Sequence, residues 1–311
     1  MQSSSSSFLF VLTAAVTIVY QLAFFAVAAT FKIDTVTDLA GGSNFVVLAI
    51  LTACLGTEAH NGRGGLSLRQ WVVTLLVCAW GVRLSGFLLY RICKTSEDKR
   101  FDGIRESLWK FALFWIFQML WVWIVSLPLT YLNSLAPEAA TNATSVADIA
   151  GWSLAAAGLV LEAVADHEKF AYRQDTSATK PAFLATGTWG YSRHPNYLGE
   201  LFFWWGVFVS CSSVFAAASQ LGYLTIASPL FITALLLGGS GLPIVERTAN
   251  RRLSGNASYQ AYKLKTPVLL PCPICYAALP RWFKIAACFE WYDETAEPDI
   301  KSSLMLGETI V

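Results

Sequence analysis

The stretch FLFVLTAAVTIVYQLAFFAVAATF, Phe8 to Phe31, runs for 24 residues without a charged side chain. As a helix it would cover about 36 Å, more than the roughly 30 Å of a bilayer's hydrocarbon layer. An uncharged serine run, Ser3 to Ser7, precedes it, and no basic residue does. The stretch therefore lacks the basic flank of a cleavable leader and exceeds a leader's apolar core. It reads as a retained first membrane helix, with residues 1–7 as a disordered N-terminus.

Further apolar runs follow at Trp71 to Tyr90, Trp109 to Leu132, Val146 to Val164, Tyr197 to Phe215 and Leu221 to Leu237, with a shorter one at Phe45 to Leu55. No alternating pattern of a membrane barrel is present, and a lipid-exposed backbone must satisfy its own hydrogen bonds. The expected fold is all-α, a polytopic integral membrane protein with about seven transmembrane helices, six to eight. Composition agrees, with 55% hydrophobic and 14% charged residues and a mean hydropathy of +0.50. The net charge of +1 supplies no field that would gather nucleic acid. Of seven cysteines, Cys54, Cys78 and Cys211 lie inside apolar runs, so no disulfide framework is expected. Three histidines without clustered ligands argue against a metal, and the single Cys272-Pro273-Ile274-Cys275 pair does not make a zinc site.

Eighteen of the 22 basic residues fall in three segments: after the third span, after the fifth and after the seventh. With seven spans all three lie on one side, which the positive-inside rule makes cytosolic. The loop Asn133 to Ser145 has no basic residue and carries the sequon Asn142-Ala143-Thr144, as a lumenal loop could. The expected organisation is an N-terminal transmembrane half, 8–145, a C-terminal transmembrane half, 146–271, and a cytosolic tail, 272–311.

Polar residues inside spans are the candidate functional positions, because an ionisable group near the bilayer centre costs at least about 2.5 kcal/mol. Arg83 is one and Gln118 a less costly one; a structural ion pair is the alternative for Arg83. Glu162, Asp166, Lys169 and Arg173 follow at offsets of four, three and four, which aligns them along one stripe of a helix leaving the membrane. The stripe fits either a solvated, internally paired face or one wall of a ligand site.

The segment Gly187 to Glu200, GTWGYSRHPNYLGE, is dense in donors, acceptors and rings. Pro195 and Asn196 suit the first turn of the next span. A helix N-terminus beside Arg193 and His194 would suit a diphosphate. Tyr197 could stack or hydrogen-bond, and Glu200, one turn in, could accept from an amide or a ribose hydroxyl. An interfacial aromatic belt explains Trp189, Tyr191 and Tyr197 equally well but leaves Glu200 unexplained. Past the seventh span, Gly238 to Pro243 reads as a helix stop. Glu246-Arg247 and Tyr259 to Lys263 then offer a basic and tyrosine-rich cluster for phosphates or lipid headgroups.

From Thr37 to Pro271 the chain resembles the membrane reductase superfamily of steroid 5-alpha-reductases and sterol carbon-14 reductases, in particular the proteins related to the C-terminal domain of the former. The resemblance rests on Gly81 to Arg91, GVRLSGFLLYR, on Glu97 to Asp102, EDKRFD, and most specifically on Ser192 to Glu200. It implies NADPH in a cavity open to the cytosol and a lipid enone entering from the bilayer, with the endoplasmic reticulum as the membrane expected by family habit. Carried over by motif, Asp166 and Arg173 lie on the cofactor-binding helix, and Glu162 stands where steroid reductases carry asparagine. Asn196, Tyr197 and Glu200 match the cofactor motif; Arg247, Tyr259, Tyr262 and Lys263 resemble the closing segment. Tyr90 is the candidate catalytic acid, whereas Glu58 has no motif support.

The expected reaction is hydride transfer from NADPH to the β carbon of a conjugated carbonyl, with a tyrosine-type acid at the carbonyl. Isoprenylcysteine carboxyl methyltransferases share an Arg-His-Pro-x-Tyr-x-Gly segment, so S-adenosylmethionine-dependent methyl transfer is the alternative. A non-catalytic lipid-binding protein on the same fold is a third.

Overall fold

A computed structural model describes residues 2–58, 65–95, 104, 106–136, 143–239, 241–271 and 276–291. Among them every regular element is helical, and seven helical stretches are long and apolar enough to cross a membrane. The expected all-α, seven-span architecture is what the chain adopts. The elements are α1 (Gln2–Phe31), α2 (Thr35–Glu58), α3 (Leu68–Thr95), α4 (Leu108–Val125), α5 (Leu127–Ser134), α6 (Val146–Gln174), α7 (Pro195–Ser212), α8 (Phe215–Ala218), α9 (Ala227–Ala234), α10 (Leu242–Leu253), α11 (Ala257–Lys265) and α12 (Arg281–Cys288). The seventh span, Gln220–Leu253, is composite: a 3-10 stretch leads into α9, a π turn at Leu235–Gly239 follows, and α10 restarts with Pro243 in its first turn.

Helical structure departs from the hydropathy runs in three places. Residues 2–7, expected to be disordered, are helical within α1, because a long apolar helix once nucleated extends through serines at little cost. The short run Phe45 to Leu55 is only part of the 24-residue α2, whose Gly-Gly-Ser start lowers hydropathy without ending the helix. Those small residues let α2 approach α3: a Cβ on Gly81 would lie 2.9 Å from the Gly42 carbonyl. The charged stripe after Val164 continues the same 29-residue α6, roughly 43 Å long, so its last turns reach beyond a hydrocarbon layer. Asn142, the Glu97 to Asp102 motif and the Cys272 to Cys275 pair lie outside the described residues, as does the Glu58 side chain.

The α6/α7 pairing is the most extensive in the fold. Glycines spaced by seven, Gly151 and Gly158 on α6 and Gly199 and Gly206 on α7, put backbone against backbone. A Cβ on Gly158 would lie 2.5 Å from the Gly199 carbonyl oxygen and 2.5 Å from the Phe203 nitrogen. Between helices in lipid, close backbone approach of this kind supplies packing that hydrophobicity cannot. Gly158→Ala is therefore expected to cost about 1–3 kcal/mol by overpacking. Gly86→Ala, where a Cβ meets nothing within 4 Å, is the control. Thermal unfolding of both variants checks this, and equal melting temperatures would contradict it.

An aromatic core lies beside this pair. Trp80 stacks on Phe203 at 5.5 Å and meets Phe45 and Trp204 edge-on at 5.2 and 5.0 Å; Trp80, Phe45, Phe203 and Trp204 are fully buried. Two glutamines inside the spans pair with each other and with their surroundings: Gln118 Nε2 donates to Gln21 Oε1 and the Thr37 carbonyl, and Gln21 Nε2 to Asn44 Oδ1. Gln118 is thus a structural residue, as buried polar groups usually are.

Candidate functional site

Two polar groups occupy the end of the bundle where α6 finishes and α7 begins. The first lies between α3, α6 and α7. Glu162, only 4% exposed, accepts from Trp80 Nε1 at 2.8 Å and from Arg83 Nη1 at 2.6 Å. Arg83 Nη2 donates to the Glu162 carbonyl at 3.3 Å and to Asp166 Oδ2. Asn196 Nδ2 reaches the other Asp166 oxygen at 3.3 Å, while its buried Oδ1 has no hydrogen-bond partner. Glu200 lies near enough to Glu162, Asp166 and Arg83 to interact with all of them electrostatically. Two carboxylates thus share one guanidinium with a third, Glu200, nearby, all brought together by the glycine contact that seats α7 against α6 at Gly199 and Glu162.

The second group walls a cavity of roughly 680 Å³, within the range of small-molecule sites. Its floor is built by α10 and the segment before α7. The N–H groups of Arg193 and His194 donate to the Pro267 and Val268 carbonyls at 2.9 and 3.1 Å, which fixes the direction of both side chains. His194 Nε2–H donates to Glu246 Oε1 at 2.6 Å, and its ring stacks on Tyr197 at 5.6 Å and 12°. Burial pulls the His194 pKa below its ordinary value, so the imidazole is neutral at pH 7. Arg193 pairs with Glu246 Oε2 at 3.2 Å and with Glu290 at 2.5 Å. Burial opposes its charge, but Glu246 and Glu290 outweigh that and hold its pKa above the ordinary range. Arg193 is 4% exposed, yet its Nε and Nη1 have no hydrogen-bond partner. Buried donors left unmet on an arginine that lines a cavity are positioned for an anion.

The remaining wall is aromatic and basic. Lys169 Nζ stands 4.8 Å over the Trp189 ring, and Trp189 Nε1 donates to the Ala165 carbonyl. Glu168 accepts the Thr188 N–H and hydroxyl at 3.0 and 2.5 Å. The turn this closes has Gly187 at φ +61°, where a side chain would be strained and would strike the Glu168 carboxylate. Tyr262 O–H donates to the Trp189 carbonyl at 2.6 Å, and Phe183 packs against Tyr259 and Tyr262 at 5.3 and 5.2 Å. Burial, with Glu246 adding, pushes Tyr259 up to about 12, so both its proton and its hydrogen bond to Asn250 persist at pH 7. Arg173, Lys180 and Arg252 complete the lining.

Residues 24–266 match the family described as Protein of unknown function (DUF1295). The chain belongs to this family. No curated protein and no solved structure matches it. The match covers nearly all of the stretch that carries the reductase resemblance, and it holds both polar groups except for Pro267, Val268 and Glu290.

In this DUF1295 chain the residues expected at a cofactor site divide. Arg173, Arg193, His194, Tyr259 and Tyr262 line the cavity. Asp166, Asn196 and Glu200 belong to the interhelical carboxylate group, and Tyr197 stacks behind His194. Lys263 is buried and donates to Asn250 Oδ1 at 3.1 Å, a supporting role behind the wall. Arg247 is exposed on α10 and is not part of the lining. Tyr90 is 53% exposed near the end of α3, packs on Phe170 at 5.4 Å and stands outside the cavity wall. Lys180, Arg252, Trp80 and Glu290 belong to the two groups without any mark in the sequence, whereas Glu246 stands out there only within the cluster after the seventh span. Glu246 had one available signal, a carboxylate next to Arg247 just after an apolar run; its pairing with His194 had none. Among the described residues no set of three or more His, Cys, Asp or Glu side chains converges as metal ligands.

Proposed function

We propose that the protein is a membrane-embedded NADPH-dependent reductase that adds hydride and a proton across a carbon-carbon double bond conjugated to a carbonyl in an apolar lipid. The observation that carries this reading is the charge of the cavity. Among the described residues its lining has five cations, Lys169, Arg173, Lys180, Arg193 and Arg252, against one carboxylate, Glu246, which is already bonded to His194 and Arg193. NADPH carries a diphosphate and a further ribose phosphate, which such a wall attracts; S-adenosylmethionine carries a sulfonium and no phosphate, which it repels.

The unmet nitrogens of Arg193, with Lys169 beside them, would take diphosphate oxygens. Arg173, Lys180 and Arg252 would take the ribose phosphate and so prefer NADPH to NADH. Phe183, Tyr259 and Tyr262 offer rings for the adenine. Asn196 and Glu200 stand behind that wall in the interhelical group and would bear on the cofactor through the seating of α7 rather than by contact. When bound, NADPH supplies the hydride. Tyr90 stands away from the cavity, so the proton that completes the reduction would come from water. On this reading the cavity end faces the cytosol, with the endoplasmic reticulum as the expected membrane.

Titrating the detergent-purified chain with NADPH, NADH and S-adenosylmethionine tests this, followed by nicotinamide fluorescence and thermal shift. NADPH is expected to bind and stabilise, NADH to bind more weakly and S-adenosylmethionine to do neither. Stabilisation by S-adenosylmethionine alone would overturn the reading in favour of methyl transfer, and binding of none would favour a non-catalytic lipid-binding role. Arg173→Gln should lose one charged hydrogen bond, about 1.5–3 kcal/mol, and so weaken NADPH roughly ten- to hundredfold. Glu200→Gln should weaken it as well, with the melting temperature of the ligand-free protein retained.

A further inference from the structure

α12 (Arg281–Cys288) has its amphipathicity turned outward. Its protein-facing side is polar: Lys284 lies 4.6 Å over the Tyr276 ring and its Nζ donates to the Ala277 carbonyl at 3.5 Å, with Cys288 buried beside it. Among the described residues the opposite side is apolar and uncovered: Trp282 is 69% exposed and Phe283 and Ile285 each 37%. In a water-facing helix the apolar arc would pack inward and the lysine would point out. The reversed arrangement needs an apolar medium on the outer side.

Its position identifies that medium. Phe289 caps α12 in the left-handed conformation at φ 60° and packs against the main core, and the Glu290 N–H returns to the Lys284 carbonyl at 3.1 Å. The Glu290 carboxylate then accepts from Tyr276 O–H and from Arg193, two residues before α7 starts. These contacts hold α12 level with the end of a membrane span, where hydrocarbon gives way to headgroups. Tryptophan favours that depth, and the exposed Arg281 in the first turn would meet lipid phosphates.

We propose that α12 is an interfacial helix lying in the plane of the bilayer the chain spans, with Trp282, Phe283 and Ile285 inserted at the headgroup and acyl boundary and Arg281 on lipid phosphate. The occupant of its outer face is lipid, and through Glu290 the same helix is tied to Arg193 on the cavity wall. This stands independently of which cofactor the cavity takes.

The test uses the full chain in phosphatidylcholine nanodiscs with a nitroxide-bearing keto amino acid in place of Trp282, so that the native cysteines stay intact. Power saturation by oxygen and by a nickel chelate gives the depth of the label. The expected depth is about 5–10 Å beneath the phosphate plane, with strong oxygen and weak nickel contact. Free access of nickel, which marks a solvated helix, overturns the proposal. Weak access of both relaxants, which marks a protein or second copy of the chain on this face, also overturns it. Ile285→Asp in the labelled chain is expected to lift the label into water while the melting temperature of the bundle holds; a label that stays at its original depth counts against lipid as the occupant.

Discussion

Replacing Arg69 by methionine is expected to cost about 3–5 kcal/mol of stability, although Arg69 is far from the cavity. Arg69 and Asp148 are 3% and 0% exposed and paired through two bonds, Nε to Oδ1 at 2.5 Å and Nη2 to Oδ2 at 2.6 Å. Asp148 also accepts the Ser145 N–H and hydroxyl, both at 2.8 Å, and the Ser213 hydroxyl at 2.9 Å. One carboxylate thereby ties the start of α3, the capped start of α6 and the end of α7. Methionine fills similar space but leaves that carboxylate buried with hydroxyl and amide donors alone. Arg69→Met with Asp148→Leu removes both charges and is expected to recover most of the loss, since an apolar pair replaces a buried ion pair at little net cost. Thermal unfolding of the single and double variants in one detergent is the measurement. A single variant within about 1 kcal/mol of the parent, or a double variant as unstable as the single, would show that the pair does not anchor this end.

Arg83→Met is expected to have a comparable effect on stability, about 3–5 kcal/mol, and, under the proposed function, to abolish NADPH binding as well. Arg83, 17% exposed, pairs with both Glu162 and Asp166, and Glu200 lies close to the same group. Without it three carboxylates stand close together inside a span, where ionisation of all of them is untenable and the group must take up protons or spread apart. Spreading would separate α6 from α7 near Gly158 and Gly199 and displace Asn196, which leads into the cavity wall through His194. Arg83→Lys is expected to recover only part of either loss, because an ammonium cannot fork to two carboxylates and a carbonyl as the guanidinium does. Adding Glu162→Gln to Arg83→Met should return some stability by removing one uncompensated charge. Unfolding curves and NADPH titrations on the same preparations separate the two readouts. An Arg83→Met protein with parental melting and affinity would remove this cluster from both roles.

These two arginines differ in how they stood in the sequence. Arg83 was conspicuous because it interrupts an apolar run, and cost alone marked it. Arg69 sits at the head of its span next to Gln70, where a basic residue is ordinary, so nothing local set it apart. The Glu162 to Arg173 stripe was visible by helical spacing, but spacing could not decide between a solvated face and a ligand wall. The structure divides it: Glu162 and Asp166 turn to Arg83, while Lys169 and Arg173 turn to the cavity. The seven-residue glycine spacing on α6 and α7 took on meaning only in the structure, where it brings Glu162 and Glu200 into one group.

Sequence alone determined the number and type of the spans and most of the residues around both polar groups. Apolar length and charge cost are local, one-dimensional properties that a bilayer reads directly. Only the tertiary structure decided which of those residues meet. His194 finds Glu246 across 52 positions and Arg193 finds Glu290 across 97, and Tyr90, expected beside the cofactor, lies outside the cavity. Such pairings depend on how closely α6 and α7 approach and how the last segment folds back. Those are outcomes of packing between distant backbones, which leave no periodicity in the chain.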